Sequence, residues 1–156
     1  MSDVATRIAA ERFVGASAPA VFSFLADLEN HWLLADRFVE VVTLERPSGG
    51  GPAYGGTVRM RGPLGLGRTA RTRVVETQPH TSLAGIASVG NGTEALVRWT
   101  LTPADDGTRV RLEATVKRAG RLESALLVAG GRRWLEQRFA SILETLAQRV
   151  PRAELG

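Results

Sequence analysis

The chain has 156 residues and a net charge of +4, with 44% hydrophobic and 23% charged residues and no cysteine. That length suits one domain burying about 70% of its unfolded surface, and the composition is globular rather than disordered. The lack of cysteine excludes disulfide frameworks, thiolate zinc sites and cysteine nucleophiles.

The first residues, MSDVATRIAAER, have no apolar core of the kind a secretory signal needs. No apolar run approaches the ~20 residues of a membrane span, so the expectation is a cytoplasmic location with no transmembrane segment. Residues 5 to 14 read as a first strand. Ser17 is a good helix N-cap with Pro19 just inside, and Val21, Phe22, Phe24, Leu25 and Leu28 follow at helical spacing. A short second helix over roughly 29 to 37 carries Trp32. A strand is expected at 38 to 46, then a flexible PSGGGP loop.

Alternation with period two then dominates. In TVRMR, Val58 and Met60 oppose Arg59 and Arg61. In RTARTRVV, Ala70, Thr72 and Val74 oppose Arg71, Arg73 and Val75. In TEALVRWTL, Ala95, Val97, Trp99 and Leu101 oppose Glu94, Arg98 and Thr100, and in TRVRLEATVK, Val110, Leu112, Ala114 and Val116 oppose Arg109, Arg111, Glu113 and Lys117. Such strands build an antiparallel sheet with one wet face. Asn91-Gly92 and Asp106-Gly107 mark hairpin turns, and residues 82 to 89 supply a further strand whose Ala84, Ile86 and Ser88 are expected to face inward with the others. After Gly120 the period lengthens. Leu122, Leu126, Leu127, Trp134, Leu135, Phe139, Ile142, Leu143, Leu146 and Val150 mark a long amphipathic helix, which Gly130-Gly131 kinks or delays and Pro151 stops.

The sheet must cover its apolar face, and only the closing helix is long enough to do so. Small inward residues opposite that helix leave room for a cavity unless Trp134 and Phe139 fill it. The order of elements resembles the helix-grip fold of the START-like, Bet v 1-like superfamily (SRPBCC), and within it the bacterial polyketide cyclase/dehydrase and lipid-transport group. The resemblance is carried by ASAPAVFSFLADLENHWLLA (16 to 35), VVETQP (74 to 79), VRWTLTPADDGTRVRLEA (97 to 114) and the closing helix. It implies an α+β fold, a curved antiparallel sheet wrapped around a long C-terminal helix with two short helices after the first strand, over residues 1 to 156. It also implies a hydrophobic ligand (a lipid, polyketide or aromatic compound) held between sheet and helix. The residues expected to bind it are Phe24, Trp32, Tyr54, Val58, Met60, Thr72, Val74, Ile86, Val97, Trp99, Leu112, Leu127, Trp134 and Leu135. Leu64 and Leu66, at a hairpin tip between Arg61 and Arg68, read either as a lid or contact surface or as residues tucked under the first helices.

Chemistry is thinly signposted. All but Lys117 of the 20 basic residues are Arg, in no run longer than two, which reads as coding preference rather than phosphate recognition. His31 is either a general base near the cavity mouth or a surface residue capping a turn, and His80 is expected in a solvated turn. Two histidines without cysteine give no metal site, and no phosphate loop, dinucleotide fingerprint or nucleophile elbow occurs, so no cofactor is expected. Cyclases of the resembled family hold a polyketide with an interior Arg, Tyr and Trp. Here the alternation turns Arg59, Arg71, Arg73 and Arg98 outward, leaving no clear interior Arg. The leading reading is therefore a carrier or sensor of a hydrophobic small molecule. A cyclase or dehydratase acting in the same cavity is the alternative, with catalytic residues unassigned. Nucleic-acid contact through the Arg-rich face ranks last because no stacking aromatics interleave it. Oligomeric state, a homodimer included, is not set by the sequence.

Overall fold

The computed structural model describes residues 6–61, 67–90, 92–120 and 130–155. Strand β1 (Thr6–Val14) leads into helix α1 (Ala18–Leu25), which Ser17 caps by accepting the N–H of Ala20 at 3.3 Å. Helix α2 (Leu28–Leu33) follows at once, capped by Asp27, whose carboxylate accepts the N–H groups of Glu29 at 3.0 Å and Ala53 at 3.2 Å. Strands β2 (Val39–Glu45), β3 (Gly55–Arg61), β4 (Gly67–Gln78), β5 (Ser82–Val89), β6 (Thr93–Ala104) and β7 (Gly107–Arg118) come next, and helix α3 (Arg132–Leu155) ends the chain.

All seven strands form one curved antiparallel sheet in the order β1-β7-β6-β5-β4-β3-β2. Consecutive strands β1 and β2 thus become the two opposite edges. In a flat sheet those edges would stand about 29 Å apart, at about 4.8 Å per strand. The α1–α2 segment bridges them, which the curvature of the sheet makes possible. Bulges in β2 between Val41 and Thr43 and in β4 between Val74 and Glu76 strengthen that curvature.

The 24-residue α3 spans about 36 Å and runs along β1. Its C-terminal half is tightly packed: Leu143, Leu146 and Val150 join Val14, Val21, Leu25, Leu101 and Val110 in the main core. Helix α3 continues through Pro151 rather than stopping there. Proline loses only one helical hydrogen bond at that point, with the end of the helix close by, and buried Val150 holds the turn before it. A smaller core of Leu28, Trp32, Ala53, Val58 and Ala70 closes the far end of the sheet. Trp32 packs there over Gly56, where a Cβ would come within 2.7 Å of the indole. Gly56 is therefore the space the indole needs.

Among the described residues the fully buried polar side chain is that of Thr108. Thr108 donates its hydroxyl proton to the carbonyl of Ala16 at 2.8 Å, tying the start of β7 to the link between β1 and α1. Thr108→Val preserves shape but leaves that carbonyl unpaired, and should cost about 1–3 kcal/mol in a urea unfolding experiment. A loss below a few tenths would show that water satisfies the carbonyl instead.

Candidate functional site

The sheet's inner face can be read row by row from the strand register. Nearest the main core, Leu83, Trp99, Leu112 and Ala10 stand side by side. The next row is Val74, Gly85, Val97, Ala114 and Ile8, and the next Gly56, Thr72, Ala87, Ala95 and Val116. Val58, Ala70, Val89 and Thr93 follow, and Val39, Met60 and Arg68 complete the face. Apart from Ile8 on the β1 edge, the middle rows are built of glycine, alanine, threonine and valine, so the sheet presents little bulk where it faces the first half of α3. There Trp134, Leu135, Phe139 and Ile142 meet a cavity of about 310 Å³ instead of a packed wall. That volume lies at the small end of the range for ligand pockets. A second hollow of about 30 Å³ adjoins it through shared Leu28, His31, Thr72, Val97 and Trp99, and extends under Val74, Leu83 and Gly85.

Of the residues expected to bind ligand, Trp32, Val58, Met60, Thr72, Val97, Trp99, Leu112, Trp134 and Leu135 line the cavity, and Val74 lines the smaller hollow. Three lie elsewhere. Ile86 pairs with Arg73 and Leu96 on the outer face and is exposed, because Gly85, Ala87 and Val89 are the inward residues of β5. Ser88 follows the same outward parity, whereas Ala84, though paired with Glu76 and Arg98, is 1% exposed and lines the smaller hollow. Tyr54 precedes β3 and is 39% exposed, its backbone held by hydrogen bonds with Glu45 and Val74. Phe24 packs against the main core from α1. Leu64, Leu66 and Leu127, with Leu122 and Leu126, lie outside the described residues.

His31 is a cavity residue, not a surface cap. Its Nε2 lies 2.6 Å from the carbonyl of Leu25, and its ring sets an edge against Trp99 with centroids 5.3 Å apart. Burial lowers its pKa from 6.5 to about 4, outweighing the Leu25 carbonyl and the charge of Asp27, which both favour the proton. The imidazole is therefore neutral at physiological pH. Donating from Nε2 to Leu25 leaves Nδ1 as its acceptor. The nearby Asp27 carboxylate behaves differently. Burial alone would raise its pKa, but hydrogen bonds from Arg46, Glu29 and Ala53 and the charge of Arg46 hold it below 3.8. Arg46 reaches Asp27 at 2.9 Å, Glu29 at 2.7 Å and the carbonyl of Gly51 at 2.8 Å, fastening α2 to the loop before β3.

Two arginines also line the cavity, and no Asp or Glu does so among the described residues. Arg68 lies beside Met60 in the inward register of β4, two residues before Ala70, and donates from one η nitrogen to the carbonyl of Gly67 at 2.8 Å. The alternation that turns Arg71 and Arg73 outward places Arg68 inward, so this signal was present in the sequence. Arg138 enters from α3, one turn after Trp134. The outer-face arginines are interleaved with acids: Glu11 meets Arg109 at 3.4 Å and Arg111 at 3.6 Å, Glu113 meets Arg111 at 3.0 Å, and Glu76 meets Arg98 at 3.6 Å. Among the described residues no group of three or more His, Cys, Asp or Glu converges as a metal site would require, and no helix is long and apolar enough to cross a membrane.

Comparison with known proteins agrees with this architecture. The chain superposes on a protein of Thermus thermophilus with a TM-score of 0.74 and 21% identity, covering 95% of this chain and 99% of that one. For a START superfamily protein from Mycobacterium smegmatis the TM-score is 0.71 at 15% identity, with 94% and 98% covered. A Rhodobacter sphaeroides protein gives 0.63 at 21% identity, with 97% and 94% covered. At such identities the likeness is one of fold. Comparison with curated proteins finds no match. The family model described as polyketide cyclase / dehydrase and lipid transport matches residues 5–151, almost the whole chain, and takes in both the cavity-lining strands and α3. The chain belongs to the polyketide cyclase/dehydrase and lipid-transport family.

Proposed function

We propose that residues 1 to 156 act as one ligand-binding domain, a carrier or sensor that encloses a hydrophobic small molecule between the sheet and α3. The observation that carries this reading is the run of small residues through Thr72, Ala87 and Ala95 opposite large α3 side chains, which holds open about 310 Å³ of apolar space. Empty apolar space of that size is costly to keep, since each lost contact forfeits dispersion energy. A bound apolar molecule restores those contacts. Native mass spectrometry of the purified protein, followed by denaturing extraction, should release an apolar compound. Ala87→Phe places a ring in the middle of the cavity and should abolish both that compound and the binding of neutral N-phenylnaphthylamine. Full binding by the Ala87→Phe variant would place the ligand elsewhere, and an empty wild-type protein that also ignores the probe would overturn the reading.

A cyclase or dehydratase is the second reading, favoured by His31: its Nε2 donates to Leu25, which leaves Nδ1 as an acceptor in the cavity, placed to hydrogen-bond a bound substrate. Recovery of the extracted compound chemically unchanged after prolonged incubation with the protein counts against it. Conversion that His31→Gln abolishes without loss of binding counts for it.

A further inference from the structure

The ligand-binding reading leaves Arg138 without a task. Arg138 is half-buried on the face of α3 that carries Trp134 and Ile142. Its guanidinium carbon sits 5.2 Å from the centroid of the Trp134 ring and 5.6 Å from that of Phe38, and the two rings meet edge to face at 6.2 Å. Aromatic faces suit a guanidinium plane because their negative quadrupole attracts the cation. Such stacking leaves the N–H edges of the fork free to donate. Nε of Arg138 is buried and has no acceptor.

A buried N–H without a partner is costly, and a cation aimed into apolar space is costlier still unless something neutralises it. The protein supplies no carboxylate along this cavity among the described residues. The missing acceptor is therefore of the kind a ligand brings. Nε and its neighbouring η nitrogen form a side-on pair that matches the two oxygens of one carboxylate. Most of the remaining wall, Phe38, Val39, Ala95, Val116 and Leu135 among it, is apolar and suits a hydrocarbon body, with Arg68 and Thr93 as further polar groups.

We propose that the ligand is an amphipathic carboxylic acid whose carboxylate pairs with Arg138 while its hydrocarbon part fills the space under α3. Trp134 and Phe38 hold the guanidinium in place before the ligand arrives, which removes much of the entropy cost of ordering a long side chain. The proposal rests on the cavity being the ligand site, and the test separates the two.

Isothermal titration at neutral pH with dodecanoic acid and with dodecan-1-ol compares two ligands alike in chain and different in head. The wild-type protein should bind the acid at least about tenfold more tightly than the alcohol, as a charge-assisted pair in a dry site requires. In Arg138→Gln that preference should vanish while the alcohol's affinity stays, and the retained alcohol binding shows that the variant is folded. Equal affinities in the wild-type protein would overturn the acid and leave the cavity reading intact. An acid preference that survives in Arg138→Gln would overturn the assignment to Arg138. Binding of neither compound would overturn both readings.

Discussion

Trp99→Ala should lower the stability of the ligand-free protein by about 3–5 kcal/mol, the usual cost of deleting a large buried aromatic. Trp99 is 4% exposed and stands between Leu83 and Leu112 in the row of the sheet nearest the main core. It belongs to that core and also forms the floor of the cavity, with the edge of His31 against it. Its removal therefore merges a new hole with space already present. Neighbours can fill little of the gap, because the adjoining row offers only Gly85, Ala114 and short branched side chains. That argues for the upper part of the range. Urea unfolding of the apo protein measures it. A cost under about 1 kcal/mol would mean that Trp99 is a pocket wall whose contacts are made mainly to ligand, and the deficit would then appear in binding instead.

How far the sequence foretold this site depends on how different the two faces of each strand are. In β4, β6 and β7 charged and apolar residues alternate, so Thr72, Val97 and Leu112 fall on the predicted side. In β5 both faces are apolar, and alternation alone cannot choose between Ala84, Ile86 and Ser88 on one side and Gly85, Ala87 and Val89 on the other. Pairing with β4 and β6 decides it, and it puts Ile86 outside. Taking the Ala84, Ile86 and Ser88 side as the inward one therefore leads to Ile86 and away from Ala87. Arg68 shows the reverse: the parity of β4 points it inward, but in the sequence it reads only as a flank of the hairpin tip. Arg138 was least visible. Its spacing from Trp134 is plain in the sequence, but its orientation depends on how α3 rotates and lifts from the sheet, a tertiary property. Phe24 and Tyr54 fail for a similar reason, since helical or loop placement fixes neither direction until α1 docks and the turn before β3 closes.

The stability of the protein should fall as the pH drops from 6.5 toward about 4, and His31 should account for about 3 kcal/mol of the loss. The sign follows from burial. In the unfolded chain His31 takes up a proton near 6.5, whereas in the folded protein it resists until about 4. Within that window the unfolded state binds more protons, so acid favours unfolding; above it His31 is neutral in both states and its contribution is constant. The charges around it do not reverse this. The Leu25 carbonyl and Asp27 favour the proton but are outweighed by burial. Asp27 adds its own acid sensitivity at lower pH, because a carboxylate held below 3.8 stabilises the fold only while ionised. The two are separable. His31→Gln keeps a donor for the Leu25 carbonyl and removes the titration, so the difference between variant and wild-type stability should change with pH only between 6.5 and about 4 and be constant on either side. Superimposable curves would mean that His31 is solvated enough to titrate normally. A neutral His31 also bears on binding: protonation would put a charge beside the apolar body of the ligand, so an acidic medium should weaken retention of a neutral apolar probe before it unfolds the protein.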